Sequence, residues 1–150
     1  MSITLVLPDG AQYLGAAYAS TIWLQVWQMM RVGKARKAAG VPYPRLYAEK
    51  AEEEASIHAR KFNCTQRAHQ NTLEQIPPLF VASALTALKF PTFAAGAVGV
   101  WTFGRIMYTL GYSTGDPKKR TSRGGWLSSL TSVVLALTGT YVAGSLAIGM

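Results

Sequence analysis

The 150-residue chain has a single cysteine, Cys64, and only two histidines, His58 and His69. One cysteine excludes an intrachain disulfide. No Cys/His cluster has metal-ligand spacing, so no metal centre is expected. Charge is also sparse. Charged residues make up 15% of the chain, against about 25% in typical soluble domains. The N-terminal MSITLVLPDG lacks a charged n-region and a small-residue cleavage site. A removable signal peptide is therefore not expected, and the first apolar stretch would serve as its own anchor. There is no internal repeat and no low-complexity tract.

Apolar residues are abundant. They make up 49% of the chain, and mean hydropathy is +0.14 despite a net charge of +8. The charges must therefore be concentrated. Four stretches approach the roughly 20 apolar residues needed to cross a bilayer. Ala11–Met30 and Trp126–Met150 carry no charge, Ala68–Leu88 carries only Glu74, and Phe90–Tyr112 carries only Arg105. This pattern predicts an all-α integral membrane four-helix bundle in one domain, with spans at about 11–33, 66–88, 91–113 and 125–148.

Lysine and arginine set the expected orientation. Nine of the fifteen lie in or beside the first connection, from Arg31 to Arg67, and four lie in the third, from Lys118 to Arg123. The positive-inside rule puts these two connections in the cytosol and both termini on the far side. Membrane topology and anionic headgroups account for the basic balance. No groove-reading motif points to nucleic acid. The endoplasmic reticulum is the expected membrane, with the outer mitochondrial membrane as the alternative, since no retention signal separates the two.

Helix one should continue to about Ala39, where Gly40 and VPYP stop it. AEKAEEEA (48–55) reads as a solvated helical turn or two. The second long helix should start near Ile57–Lys61 and kink at Pro77–Pro78, which lack backbone donors. STGDPKKRTSRGG (113–125) reads as a loop rich in turn formers.

Helix spacing then gathers the polar groups. Arg67, Asn71 and Glu74 stand at i, i+4 and i+7, and so share a face. Arg105, Tyr108 and Tyr112 follow i, i+3 and i+7 on the next helix. Both stripes lie toward the expected cytosolic end, near Arg36 and Lys37. A charge at mid-span costs about 2.5–3.5 kcal/mol on insertion scales. One structural ion pair, Glu74 with Arg67 or Arg105, would need fewer polar groups than these. Excess guanidinium suits carboxylates, and a single carboxylate suits an amine. A compact zwitterion with two carboxylates and one amine fits, and glutathione is such a molecule.

At these residues a family resemblance appears. FNCTQRAHQNTLEQIPP (62–78), with KARKAAGVPYPRLY (34–47) and GRIMYTLGYSTGDPKKR (104–120), resembles the MAPEG superfamily, membrane-associated proteins in eicosanoid and glutathione metabolism. The type-three microsomal glutathione S-transferases are the nearest match. The resemblance implies a homotrimer with glutathione bound between neighbouring subunits near the cytosolic face. It implies glutathione contacts from Arg36, Arg67, His69, Asn71, Glu74, Arg105, Tyr108 and Tyr112. The thiol-activating arginine falls in DPKKRTSR, where Arg120 is favoured and Lys119 is the alternative.

The expected activity is a membrane-bound glutathione transferase and peroxidase. It would activate glutathione, the co-substrate, as thiolate and direct it at a lipophilic electrophile or a lipid hydroperoxide, with no metal. Two other readings stand beside it: a non-catalytic lipid-binding adaptor of the same superfamily, and a small channel or transporter. Trp23, Trp27 and Trp101 are expected to anchor or pack rather than line a substrate groove. Cys64 is expected to be packed and not nucleophilic.

Overall fold

The computed structural model describes residues 8–149. Among them are five α-helices, one 3₁₀ turn and no strand. Helix α1 spans Ala11–Ala39, α2 Lys50–Ala55, α3 Ile57–Ala87, α4 Pro91–Tyr112 and α5 Trp126–Ala147. The 3₁₀ turn, Pro117–Arg120, lies between α4 and α5. Each long helix reverses the direction of the one before it, so α1 runs parallel to α4, and α1 and α5 lie on opposite sides of the α3–α4 pair.

Local sequence explains most boundaries. Helix α1 ends at Gly40, in the left-handed conformation at φ 65°, and the Gly40 and Val41 amides cap the last carbonyls. Helix α2 is the expected acidic turn, with a capping box between Glu49 and Glu52. Ser56 caps α3, and Pro91 occupies the first turn of α4, where its missing N–H costs nothing. Pro77 and Pro78 lie inside α3, which continues through both as one helix. Next to them α1 braces α3: the Tyr18 and Phe80 rings are 4.5 Å apart, and the Tyr18 hydroxyl lies 2.8 Å from Ser83 Oγ.

The bundle is polar at its centre and apolar on its outside. An apolar cluster of Leu24, Leu79, Val98, Trp101 and Leu135 fills one part of the core. Beside it, Gln28, Thr72, Thr109 and Arg105 are completely buried. Gln28 Nε2 donates to Thr72 Oγ1 at 2.9 Å and to Thr109 Oγ1 at 2.7 Å. Arg105 donates to Thr72 Oγ1 through Nε at 3.0 Å and Nη2 at 2.8 Å, and to the Ala68 carbonyl at 3.3 Å. These bonds join α1, α3 and α4. Outside, Ile22, Trp23, Val81, Phe103, Val133 and Leu137 are exposed, with at least one of them on each long helix.

By length and composition, one helix among the described residues is apolar enough to cross a membrane: α5, Trp126–Ala147. Four were expected. The other three carry polar groups inside their apolar stretches. Helix α1 has Gln12, Gln25 and Gln28, α3 has the Arg67–Gln75 run, and α4 has Arg105 with four glycines. Several of those groups face inward and bond to each other, so a linear average over sequence undercounts the apolar outer surface.

The polar network should be measurable. Thr72→Val keeps the volume but removes the acceptor shared by Arg105 and Gln28. The buried guanidinium then keeps only the Ala68 carbonyl, at a cost of about 2–3 kcal/mol. Tm in detergent should fall accordingly, and adding Arg105→Met should recover part of the loss. Additive losses in the double variant would show that the two residues are not coupled.

Candidate functional site

The open polar face belongs to α3. Arg67 and Glu74 are about half exposed, and Asn71 lies between them. Arg67 Nη1 donates to Glu74 Oε1 at 2.7 Å and Nη2 to Oε2 at 3.4 Å. Asn71 Nδ2 reaches Glu74 Oε2 at 3.4 Å, and Gln75 Nε2 reaches Asn71 Oδ1 at 3.2 Å. The spacing-based face is therefore real. An exposed pair of this kind contributes little to stability, so it leaves guanidinium and carboxylate available to a ligand.

A strap formed by residues 41–49 edges this face. Asn63 Nδ2 donates to the Ala48 carbonyl at 3.0 Å and to Glu53 Oε2 at 2.9 Å, and Asn63 Oδ1 accepts from the Ala48 amide at 2.8 Å. That attachment brings Tyr47 over α3, where its hydroxyl donates to Gln70 Oε1. Burial raises the Tyr47 phenol above its ordinary value, and the Arg67 guanidinium beside it pulls the other way. Arg36 holds the same strap from below. Its Nη1 donates to the Arg45 carbonyl at 2.6 Å, and its guanidinium stacks between the rings of Tyr43 at 4.4 Å and Phe62 at 4.6 Å.

The third wall comes from the end of α4. Tyr108 and Tyr112 meet edge to face at 5.6 Å, and the Arg105 guanidinium sits 4.1 Å from the Tyr108 ring centre. The 3₁₀ turn folds back against these rings because glycine permits the approach. A Cβ at Gly111 would collide with the Lys119 carbonyl, and one at Gly125 with the Arg120 carbonyl and the Tyr108 backbone. Arg120 Nη1 donates to the Pro117 carbonyl at 2.8 Å, and Arg120 lies within electrostatic reach of Tyr108. A pocket of about 320 Å³ opens between these parts, lined by Tyr47, Glu53, Asn63, Cys64, Arg67, Tyr112 and Pro117.

The expected residues thus divide into groups. Arg67, Asn71, Glu74, Tyr108, Tyr112 and the turn with Lys119 and Arg120 come together at one end of the bundle. Three do not join them. Arg105 stands behind the face, fully buried, because Thr72 and Ala68 satisfy it inside the bundle. Arg36 is buried under the strap. His69 is two residues from Arg67, roughly 200° around the helix. It lines a separate groove with Ile22, Gln25, Met29 and Leu73. Trp101 is fully buried and donates to Ser132 Oγ at 3.1 Å, so it packs the core as expected.

Sequence reasoning missed Tyr47, Asn63, Gln70 and the buried pair Gln28 and Thr72. Tyr47 and Asn63 belong to the quoted motifs, but only the strap shows that they line one pocket. Gln28 carried a signal in hindsight: a strongly polar amide within an uncharged, apolar stretch requires partners.

Cys64 lines the pocket without being reactive. Burial, with Glu53 adding to it, pushes its thiol up to about 11. Almost none of it is thiolate at neutral pH, and thiolate is the nucleophile. Alkylation of the folded protein should be slow at pH 7.5 and accelerate only toward pH 11. Because the folded thiol titrates above the unfolded one, its contribution to stability is complete below about pH 8.5 and disappears as pH rises toward 11. Cys64→Ser should remove that alkaline loss. Rapid alkylation at neutral pH would contradict the assignment.

Comparison with known proteins places the chain. Residues 14–141 match the MAPEG family. An uncharacterized protein, sll1147, from Synechocystis sp. is 32% identical over 122 residues, covering 81% of this chain and 79% of that protein. The match spans the strap, the polar face of α3 and the Tyr108–Arg120 segment together, and on that basis the chain belongs to the MAPEG family of membrane-associated proteins.

Proposed function

We propose that this protein is a four-span membrane glutathione transferase with glutathione-dependent peroxidase activity. The observation that carries the reading is the open Arg67–Asn71–Glu74 face beside Tyr112, Tyr47 and the 3₁₀ turn. It offers one guanidinium, one carboxylate and amide groups, and Arg67 extends it into a pocket of about 320 Å³ shared with Tyr47, Tyr112 and Glu53. Glutathione presents complementary groups: two carboxylates, one amine and two peptide units. Arg67 would exchange its bond to Glu74 for a glutathione carboxylate, leaving Glu74 to accept from the amine. The Tyr108 and Tyr112 hydroxyls and Arg120 would surround the thiol.

The inverted distribution of polarity supports a membrane setting. Fully buried Arg105, Gln28 and Thr72 with exposed Trp23, Phe103 and Leu137 suit a lipid solvent better than water. The basic connections would lie together at the cytosolic face.

The division of the α3 residues favours a site shared between copies. Arg67 and His69 face opposite ways, so one protomer cannot offer both to one ligand. In a closed ring, here a homotrimer, the His69 face of one subunit would meet the Arg67 face of the next.

Chemistry then needs one activation step. A free thiol has a pKa near 8.5, and each unit of depression stabilises the thiolate by about 1.4 kcal/mol. Arg120, on a turn held by Gly111 and Gly125, would supply preorganised positive charge without a metal. The thiolate forms a C–S bond as the electrophile's leaving group departs or its epoxide opens. With a hydroperoxide it attacks oxygen and the O–O bond breaks. This gives an alcohol and a glutathione sulfenic acid, which a second glutathione converts to disulfide and water.

Two variants test this reading. Arg67→Ala should weaken glutathione binding about 10–100-fold by calorimetry while native mass spectrometry still finds the trimer. Loss of the trimer with unchanged affinity in the residual protein would make Arg67 structural only. Arg120→Ala should lower kcat about tenfold and reduce thiolate absorbance at neutral pH, with little change in KM. If Lys119→Ala does this instead, the activator is Lys119. Fatty-acid binding without glutathione binding in the unmutated protein would indicate an adaptor.

A further inference from the structure

A second basic site lies away from the glutathione pocket. Arg31, Lys34, His58 and Lys61 line a pocket of about 280 Å³ together with Ser113, and no acidic residue lines it. It forms where the end of α1, the start of α3 and the end of α4 meet. Two enclosed polar atoms of its lining residues, Arg31 Nε and Ser113 Oγ, have no hydrogen-bond partner among the described residues. Enclosed donors without partners are uncommon, because each forfeits its solvation. Together with four cationic or protonatable side chains they make an acceptor-hungry pocket, suited to phosphate oxygens.

An apolar groove lies on the same face of α1. Ser20, Trp23, Leu24, Trp27, Thr102 and Ile106 line a cavity of about 490 Å³ between α1 and α4. On α1, residues 20, 23, 24, 27, 31, 34 and 35 form one stripe at helical spacing, and on α4 so do 102, 106 and 113. The Arg31 guanidinium stacks on the Trp27 ring at 5.0 Å and joins the two parts. From Trp23 to Lys34 the stripe runs about 16 Å along the helix. Trp23 is 72% exposed, so the groove opens outward.

The geometry points to an anionic phospholipid as the occupant, its phosphate in the Arg31–Lys34–Lys61–Ser113 pocket and an acyl chain along Trp23 and Trp27. Charge complementarity selects the headgroup, and the groove beside it, reached through the Arg31–Trp27 contact, selects a lipid over a soluble phosphate. The assignment rests on the membrane reading above and not on glutathione chemistry. Such a lipid would bridge α1, α3 and α4 on the side of α1 away from the His69 groove.

The test uses the full chain. Purified protein in detergent is offered equal amounts of phosphatidylglycerol and phosphatidylcholine with the same acyl chains, and retained lipid is read by native mass spectrometry. Phosphatidylglycerol should be retained about tenfold over phosphatidylcholine. Lys34→Gln with Lys61→Gln, both exposed and expected to fold, should bring the two to parity. Trp23→Ala with Trp27→Ala should reduce retention of both lipids. Equal retention by the unmutated protein, or unchanged selectivity in the lysine variant, would overturn the proposal. So would displacement by glycerol phosphate or inorganic phosphate with no effect of the tryptophan changes, which would mark a soluble-phosphate site. Cross-linking between Trp23 positions of two copies, with no lipid retained, would also overturn it. Alkaline extraction of native membranes separates the two levels: release into the soluble fraction would sink the membrane reading itself.

Discussion

Burial of one guanidinium constrains everything around it. Arg105 lies at zero exposure between α3 and α4, where an unpaired charge would not be tolerated. Thr72 accepts two of its donors, the Ala68 carbonyl accepts a third, and the Tyr108 and Trp101 rings lie against its plane. Thr72 also accepts from Gln28 on α1. One hydroxyl thus sets the rotation of three helices relative to each other. With α3 held in that rotation, Arg67, Asn71 and Glu74 point out of the bundle. With α4 held in it, Tyr108 points toward the 3₁₀ turn. The candidate site is therefore arranged by a residue that does not line its pocket.

The same logic separates the arginines by job. Arg105 positions Tyr108, and Arg36 stacks under the strap that carries Tyr47. Arg67 remains exposed, with a partner on its own helix that a ligand can replace. Arg31 caps a tryptophan at the mouth of a different pocket. Each guanidinium offers a planar set of donors, so what distinguishes them is how many acceptors the fold has already supplied. Where the fold supplies backbone and side-chain acceptors or flanking rings, as at Arg105 and Arg36, the arginine is a brace. Where they are incomplete or exchangeable it is available for binding.

Much of the organisation was legible without coordinates. The ends of α1 and α3, the short acidic helix and the i, i+4, i+7 face of α3 follow from glycine stops, caps and a period of 3.6. These are local rules, and they survive because no long-range contact opposes them. Proline removes donors at Pro77 and Pro78, and the helix continues through them beside the contacts of Tyr18 with Phe80 and Ser83. The spacing of Arg105, Tyr108 and Tyr112 was also real, yet it did not reveal that the first faces inward and the others toward the site.

The amino-acid sequence by itself determined an all-helical chain, clustered basic connections and one polar face on α3. Family membership also resides there, in motifs that span most of the length. Each depends on residue type and spacing, which a linear string carries. Tertiary structure alone decided that Arg105 is a buried brace, that Tyr47 reaches α3, and that Arg31 sets a basic pocket beside an apolar groove. These depend on helix rotation and on a loop folding back, and both are set by contacts between residues dozens of positions apart.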